Sequence, residues 1–169
     1  MSGVTCLDNI MYVVFEWSST IRLYNTDTFS PLDVVINVDG MRVPYDIVVC
    51  RHDRQLYVAD CLDCIWRVSV DSHTYVKWLT TESVTDSFHV WSLSLTSRRL
   101  LVTANDPPSL RQYNTIDRQL LRVVEMPGYV NELHHGIETT RGTFIVAHEG
   151  TSCDVYQYAV SELFRLSYV

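Results

Sequence analysis

The sequence has little positive charge. Its 13 lysine and arginine residues stand against 20 aspartate and glutamate residues, which gives a formal net charge of −7. Nucleic acids and anionic lipid surfaces are bound by basic patches. The charge balance therefore argues against nucleic acid and against membranes as partners.

The sequence also has no long hydrophobic run. No stretch reaches the roughly 18 apolar residues that indicate a membrane-spanning helix. Met1 to Asp8 have neither the basic segment nor the apolar segment of a secretory signal, and an acidic residue so early is unlike a transit peptide. These features favour a cytoplasmic protein.

Cysteine is scarce, and its number is odd. The five cysteines are Cys6, Cys50, Cys61, Cys64 and Cys153, so at least one cannot pair within the chain. Cys61 and Cys64 form a CxxC motif, but the second pair that a zinc site needs is missing. A strand-like rather than a helical sequence follows the motif, which is unlike a thioredoxin site. We interpret the motif as structural, with a loop disulfide and a metal or redox role as alternatives.

Known catalytic motifs are missing as well. The chain contains no GxSxG elbow, no HExxH pair and no Walker phosphate loop. Its carboxylates do not form an obvious set of converging ligands, of which a hard cation needs about six. The sequence therefore predicts no catalytic residue, no metal and no cofactor, and it favours a protein that is not an enzyme.

What the sequence does contain is a fourfold repeat. A strand-like motif starts at Met11, Leu56, Leu100 and Phe144. A second motif starts at Ile21, Ile65, Leu110 and Val155. Successive copies lie 44 or 45 residues apart in both series. Short alternating apolar runs with this period are typical of a β-propeller, in which each repeat is one small antiparallel sheet.

The second repeat shows the predicted blade most clearly. Four strand-like segments, 46–50, 56–59, 64–70 and 75–79, are separated by polar connections. No apolar pattern of helical period runs for a full helix length. We therefore predict an all-β domain over residues 1–169, with four four-stranded antiparallel blades. The predicted blades span 3–37, 45–80, 89–125 and 133–169.

The residues of the repeat resemble a known propeller family. Leu56-Tyr57-Val58-Ala59-Asp60, a short loop and then Ile65 and Val68 resemble the NHL repeat. Wider relatives are the six-bladed propellers of the SMP-30/gluconolactonase, YWTD and TolB-like types. The family's usual Asn-x-Arg before the third strand is absent, because this chain has Asp63-Cys64-Ile65 there.

The resemblance implies six blades, whereas this sequence holds four. Six repeats of this length need about 270 residues, and closure of the ring is what protects the sheet edges. We expect the chain to be part of a six-bladed ring. A closed ring of four blades and a ring completed by another chain are the alternatives.

One group of candidate binding residues opens the first strand of each blade. Tyr45, Trp91 and His135 occupy the same repeat position, near the mouth of the predicted central channel, and Asp46 follows Tyr45. The simplest interpretation is that they pack around the channel, and ligand binding is the alternative. His134 is expected to point away from His135, because neighbouring residues of a strand face opposite sides.

A second group lies in loops. It comprises Trp17, Asp60, Asp63, Asp106, His148 and Glu149. Acidic residues after a strand commonly accept hydrogen bonds from turn backbone. The resemblance implies a second role, since lactonase relatives hold a divalent cation with carboxylates and amides. Asp60, Asn105 and Asp106 are candidates for such ligands by position alone.

Aromatic residues are the strongest functional clue. The chain has four tryptophans and ten tyrosines, and Trp17 lies in a loop. Exposed aromatic clusters favour recognition of proteins or peptides, and NHL propellers commonly act as interaction domains. The sequence therefore predicts a non-catalytic protein-binding module. A metal-dependent hydrolase of the SMP-30/gluconolactonase type, working in the central channel, is the alternative.

Overall fold

A computed structural model describes residues 1–61, 64–80, 89–128, 130 and 132–149, and the backbone of 155–158 and 163–166. Every regular element in these ranges is a β-strand. The described ranges contain no helix, and therefore none that is long and apolar enough to cross a membrane. The predicted all-β class is therefore confirmed.

Sixteen described strands form four antiparallel sheets of four, each with its strands in sequence order. The first sheet contains β1 (Gly3–Leu7), β2 (Ile10–Val14), β3 (Thr20–Asn25) and β4 (Pro31–Asn37). The second contains β5 (Pro44–Cys50), β6 (Gln55–Asp60), β7 (Cys64–Ser69) and β8 (Tyr75–Thr80). The third contains β9 (His89–Thr96), β10 (Arg99–Asn105), β11 (Ser109–Asn114) and β12 (Leu120–Glu125). The fourth contains β13 (Glu132–Glu138), β14 (Phe144–Glu149), β15 (Val155–Tyr158) and β16 (Leu163–Leu166).

The turns between third and fourth strands repeat one backbone geometry. In the first three sheets an amide nitrogen donates to the carbonyl oxygen four residues earlier, at 2.9, 3.0 and 3.0 Å. The donating residues are Phe29, His73 and Arg118, with φ of 55°, 57° and 64°. Such backbone is uncommon for residues other than glycine. Its recurrence shows that the repeat is a structural unit even where the sequence has no glycine to mark the turn.

The chain divides into two compact units, an N-terminal unit (Met1–Val90) and a C-terminal unit (Trp91–Val169). In the N-terminal unit, β1 and β2 pack against β5. The shared core contains fully buried Val14, Ile21, Val58 and Val68. Full burial of such a side chain contributes about 1.5–3 kcal/mol. The two sheets approach so closely that a Cβ atom on Gly3 would lie 2.8 Å from Asp46 Cα.

In the C-terminal unit, β10 packs against β13. Leu101, Leu133 and Val146 belong to its buried core. Gly136 allows the close approach here, because a Cβ atom would lie 2.6 Å from Leu110 Cδ2. Each sheet thus covers its apolar face with its neighbour in the same unit, as repeat architectures require.

Candidate functional site

The first strands of the second and fourth sheets carry a β-bulge at the same place. Pro44 pairs with Asp60 and Asp46 with Ala59, so Tyr45 is the extra residue of β5. Leu133 pairs with His148 and His135 with Ala147, so His134 is the extra residue of β13. A bulge inserts one residue and locally breaks the alternation of side chains.

The bulges correct the predicted equivalence of Tyr45 and His135. Ala59 and Ala147 hold the same repeat position, so Tyr45 corresponds to His134, and Asp46 corresponds to His135. The prediction was wrong by one residue because the chain from the bulge to the paired alanine is only one residue shorter in the fourth sheet (134–147) than in the second (45–59), whereas the predicted equivalence needed it to be two residues shorter. Gly142, at φ 74°, lies in the turn between β13 and β14.

Three side chains converge where β9 and β13 begin and β14 ends. The ring centroids of Trp91 and His134 are 6.5 Å apart, with 59° between the ring planes. His134 Nε2 lies 3.8 Å from Glu149 Oε2, and these two side chains are 46% and 68% exposed. We call Trp91, His134 and Glu149 the rim cluster. It combines the half-buried ring of Trp91 with an exposed imidazole and an exposed carboxylate.

A side-chain clamp holds the bulge in place. Asn105 Nδ2 donates to the carbonyl oxygen of Leu133 at 3.1 Å, and the Leu133 amide donates to Asn105 Oδ1 at 2.8 Å. Leu133 is fully buried and directly precedes His134. Asn105, a candidate metal ligand by position, therefore binds backbone with both ends of its amide and positions the rim cluster.

Asp60 plays a similar role in the N-terminal unit. It is completely buried at the end of β6. Its Oδ1 accepts from the Val43 amide at 3.0 Å, and its Oδ2 accepts from the Arg42 amide at 3.0 Å and from Trp66 Nε1 at 3.2 Å. The carboxylate thus ties the connection between the first two sheets to β6 and β7. It faces protein donors rather than a ligand.

The other predicted residues are spread over several surfaces. Trp17 is 76% exposed in the turn between β2 and β3, at φ 63°. Asp106 is exposed just after β10, at φ 67°. His148 is buried beside the rim cluster, with Nδ1 3.0 Å from the Glu149 carbonyl oxygen. His135 is exposed next to His134.

Tyr45 and Asp46 lie in the N-terminal unit, where both are half-buried. Burial raises the pKa of the Tyr45 phenol, and nearby Cys61 and Glu16 raise it further. Asp46 Oδ1 accepts from the Ile47 amide at 2.8 Å. Asp63 lies outside the described residues.

The CxxC residues form no disulfide with one another. None of Cys6, Cys50, Cys61 and Cys64 is disulfide-bonded to a described residue, so the alternative of a loop disulfide is not seen in this structure. Burial raises the pKa of the Cys50 thiol. Burial, and then the negative charges of Asp60 and Glu16, raise the pKa of Cys61. Cys6 is exposed.

These environments predict different thiol reactivities. At about pH 8 we expect iodoacetamide to alkylate Cys6 at least tenfold faster than Cys50 and Cys61, because the thiolate is the reactive form and burial disfavours it. Raising the pH should speed the two slow sites as they ionise. A time course followed by peptide mass spectrometry measures the rates, and urea-unfolded protein is the control. Equal rates in the folded protein would contradict the assigned environments.

Among the residues that the structure describes, no three His, Cys, Asp or Glu side chains come close enough together to hold a metal ion. The carboxylate and amide candidates Asp60 and Asn105 are occupied by backbone donors or acceptors, as described above. The described part of the chain therefore offers no ligand set for the channel metal of a lactonase.

Comparisons with known proteins show the fold. No family model matches the sequence, and no curated protein matches it. The Cps50 (Swd1) β-propeller domain of Myceliophteria thermophila is similar in structure, with TM-score 0.70 and 10% identity over 97% of this chain. The WD40 β-propeller domain of Doa1 has TM-score 0.72 and 14% identity over 98%. A chain of Kuenenia stuttgartiensis hydrazine synthase has TM-score 0.74 and 13% identity over 98%.

The four sheets are therefore blades of the β-propeller kind. The chain spans 56%, 52% and 53% of the length of these three chains. At identities this low the likeness concerns the fold alone.

Proposed function

We propose that this protein is a β-propeller interaction module that binds a partner protein or peptide through the rim cluster, without catalysis. The observation that carries the proposal is the convergence of Trp91, His134 and Glu149 on one exposed surface. Tryptophan is among the residues most enriched in binding hot spots, and polar groups beside it fix the orientation of a partner.

The construction of the cluster supports a binding role. The clamp between Asn105 and Leu133 fixes the backbone next to His134. A surface that is already ordered loses less conformational entropy when a partner binds. The rim cluster therefore joins two exposed polar side chains and a half-buried tryptophan on a rigid support, which suits a recognition site.

The hydrolase alternative is not favoured. It needs converging carboxylates and amides around a cation, and the described residues supply no such group. The propeller likeness and the half-buried Trp91 beside two exposed polar side chains support a binding role, which needs no reacting group.

We also propose that the blades are of the NHL type and belong to a six-bladed ring, in a cytoplasmic protein that binds neither nucleic acid nor membranes. The pattern from Leu56 to Val68 supports the NHL type, and the net charge of −7 supports the choice of partner. Counting the blades in a crystal structure of the native assembly tests the ring, and seven blades would overturn it.

Alanine at Trp91 provides the main test of the rim cluster. Peptides selected from a random display library on the wild-type protein are expected to lose at least tenfold in affinity on Trp91→Ala, because truncating a hot-spot aromatic costs about 2 kcal/mol or more. Isothermal titration calorimetry measures the affinities.

Ile116→Ala is the matched control, since Ile116 is a 62% exposed apolar residue of the same unit, in the turn between β11 and β12. Its affinity should match that of the wild type. Equal losses of affinity in both variants, or no loss in either, would contradict the assignment of the site. A library that yields no binding peptide would count against the interaction module itself.

A further inference from the structure

A cavity of about 470 Å³ opens in the C-terminal unit, beside the connection between β12 and β13. Its walls come from Pro107 and Pro108, which follow β10, and from the segment Glu125 to Gly128. The ring atoms of the prolines and the Met126 side chain give these walls apolar surface, beside a similar share of polar surface. Proline walls are rigid, so the cavity is preformed for a side chain that carries a long aliphatic stem.

Glu125 gives the cavity a negative charge. It is exposed at the end of β12, and it makes no ion pair with the residues that the structure describes. None of the described residues that line the cavity is a lysine or an arginine. A wall with apolar patches and one carboxylate matches a lysine or arginine side chain, whose stem packs on apolar surface while the charged head reaches an acceptor.

The distribution of charge over the unit points to the same partner. β10 and β12 end at one edge of the unit, and β13 begins and β14 ends at this same edge. Exposed carboxylates at this edge are Asp106, Glu125, Glu132 and Glu149. Arginines at the start of β10 and in the turns of the opposite edge are Arg98, Arg99, Arg118 and Arg141. Among described residues the first edge, which we call the acidic edge, carries no arginine or lysine.

The cavity and the rim cluster lie on this same edge. Asn105 is two residues before Pro107, and its clamp partner Leu133 is next to His134. A peptide along the acidic edge can therefore reach both. Summed negative potential along its path favours a basic segment and speeds encounter at low salt.

We propose that the acidic edge binds a basic segment of a partner protein, with one arginine or lysine side chain seated in the proline-walled cavity against Glu125. This inference rests on the proposed interaction function, and it adds the chemistry of the partner and a second contact point. The inference predicts that the affinity depends strongly on the positive charge of one peptide residue.

The test uses the peptides selected on the wild-type protein. We expect them to be enriched in arginine and lysine. For one arginine-bearing peptide, a fluorescein-labelled version is compared with its analogue in which citrulline, which is neutral and nearly isosteric, replaces the arginine. We expect the analogue to bind about tenfold more weakly, because a charge-assisted hydrogen bond is lost.

Glu125→Gln identifies the contact. It should weaken the arginine peptide about tenfold and leave the citrulline peptide unchanged, as a double-mutant cycle requires for a direct pair. Asp117→Asn, an exposed carboxylate in the turn between β11 and β12 at the opposite edge, is the matched control and should change neither. Added salt should weaken the arginine peptide more than its analogue.

Gly128→Leu tests the cavity without altering charge. A Cβ atom on Gly128 would meet no atom within 4 Å, so the fold tolerates a side chain there. The leucine side chain should partly fill the cavity and weaken the arginine peptide.

Four results would overturn the proposal. They are selection of neutral or acidic peptides, indifference to citrulline, equal losses for both peptides on Glu125→Gln, and unchanged affinity on Gly128→Leu. With peptides that still need Trp91, each of these leaves the interaction module intact. Selection of no peptide at all would overturn the module and this inference together.

Discussion

Asp60→Ala is expected to lower the free energy of unfolding of the N-terminal unit by about 3–4 kcal/mol. The change removes an acceptor from three donors, of which the Val43 amide and the indole N–H of Trp66 make buried hydrogen bonds and the Arg42 amide a part-buried one. A buried donor left without an acceptor costs about 1–3 kcal/mol, and contributions within one network are not fully additive. Urea denaturation followed by tryptophan fluorescence measures the loss.

Asp60→Asn removes the negative charge of the side chain and nearly keeps its shape, so it tests the two contributions separately. One carboxylate oxygen becomes an NH₂ group, so a donor would face at least one of the three N–H groups. We expect this variant to be clearly destabilised, though less than Asp60→Ala.

Asp71→Ala is the matched control, because its carboxylate is 64% exposed and pairs with Arg54 at 2.9 Å on the surface. Exposed ion pairs contribute little, so the denaturation midpoint should hardly move. If Asp60→Ala lowered the stability as little as Asp71→Ala, the buried carboxylate would not be what holds the connection between the first two sheets to β6 and β7.

Gly3→Ala is the second substitution with a large expected effect, a loss of about 2 kcal/mol. The added Cβ atom would lie 2.8 Å from both Asp46 Cα and the Ile47 nitrogen. These are backbone atoms, so β1 must move away from β5 and give up contacts in the shared core. Overpacking of this kind typically costs about 1–3 kcal/mol.

Alanine substitutions at two other glycines serve as comparisons for this prediction. Gly136→Ala meets the end of the flexible Leu110 side chain at 2.6 Å, so its cost should be smaller than that of Gly3→Ala. Gly128→Ala meets nothing within 4 Å and should be neutral or slightly stabilising, because alanine reduces the entropy of the unfolded chain. Differential scanning calorimetry should rank the three in this order, and a neutral Gly3→Ala would show that the two sheets are not in such close contact.

The repeat could be read from the sequence because its strands are short, apolar and regularly spaced. The second sheet shows this, since the predicted strands 56–59 and 75–79 lie within β6 (Gln55–Asp60) and β8 (Tyr75–Thr80). The second strands β6 and β10 both bury nearly all of their side chains, so equivalent strands keep a similar apolar pattern. The local hydrophobic pattern was therefore sufficient to predict the fold class.

The candidate site was only partly accessible in this way. Trp91 and Glu149 were among the predicted candidates, whereas His135 was given the position equivalent to Tyr45 that His134 holds, and Asp60 was treated as a loop residue. Both sheets contain the bulge, and they differ by one residue in the connection between their first and second strands. A sequence alone does not show where an extra or a missing residue is placed. The donors of Asp60 include the Arg42 and Val43 amides, 18 and 17 residues away, and backbone donors carry no residue signature.

Sequence by itself determined the four-sheet all-β architecture, the net negative charge and the lack of catalytic motifs, because these depend on composition and on spacing along the chain. Tertiary structure alone decided that Trp91, His134 and Glu149 meet, that Asn105 clamps Leu133, and that four exposed carboxylates share one edge of the C-terminal unit, which carries no arginine or lysine among the described residues. Those features arise from strand direction, bulges and packing between neighbouring sheets. They bring together residues up to 58 positions apart in the chain.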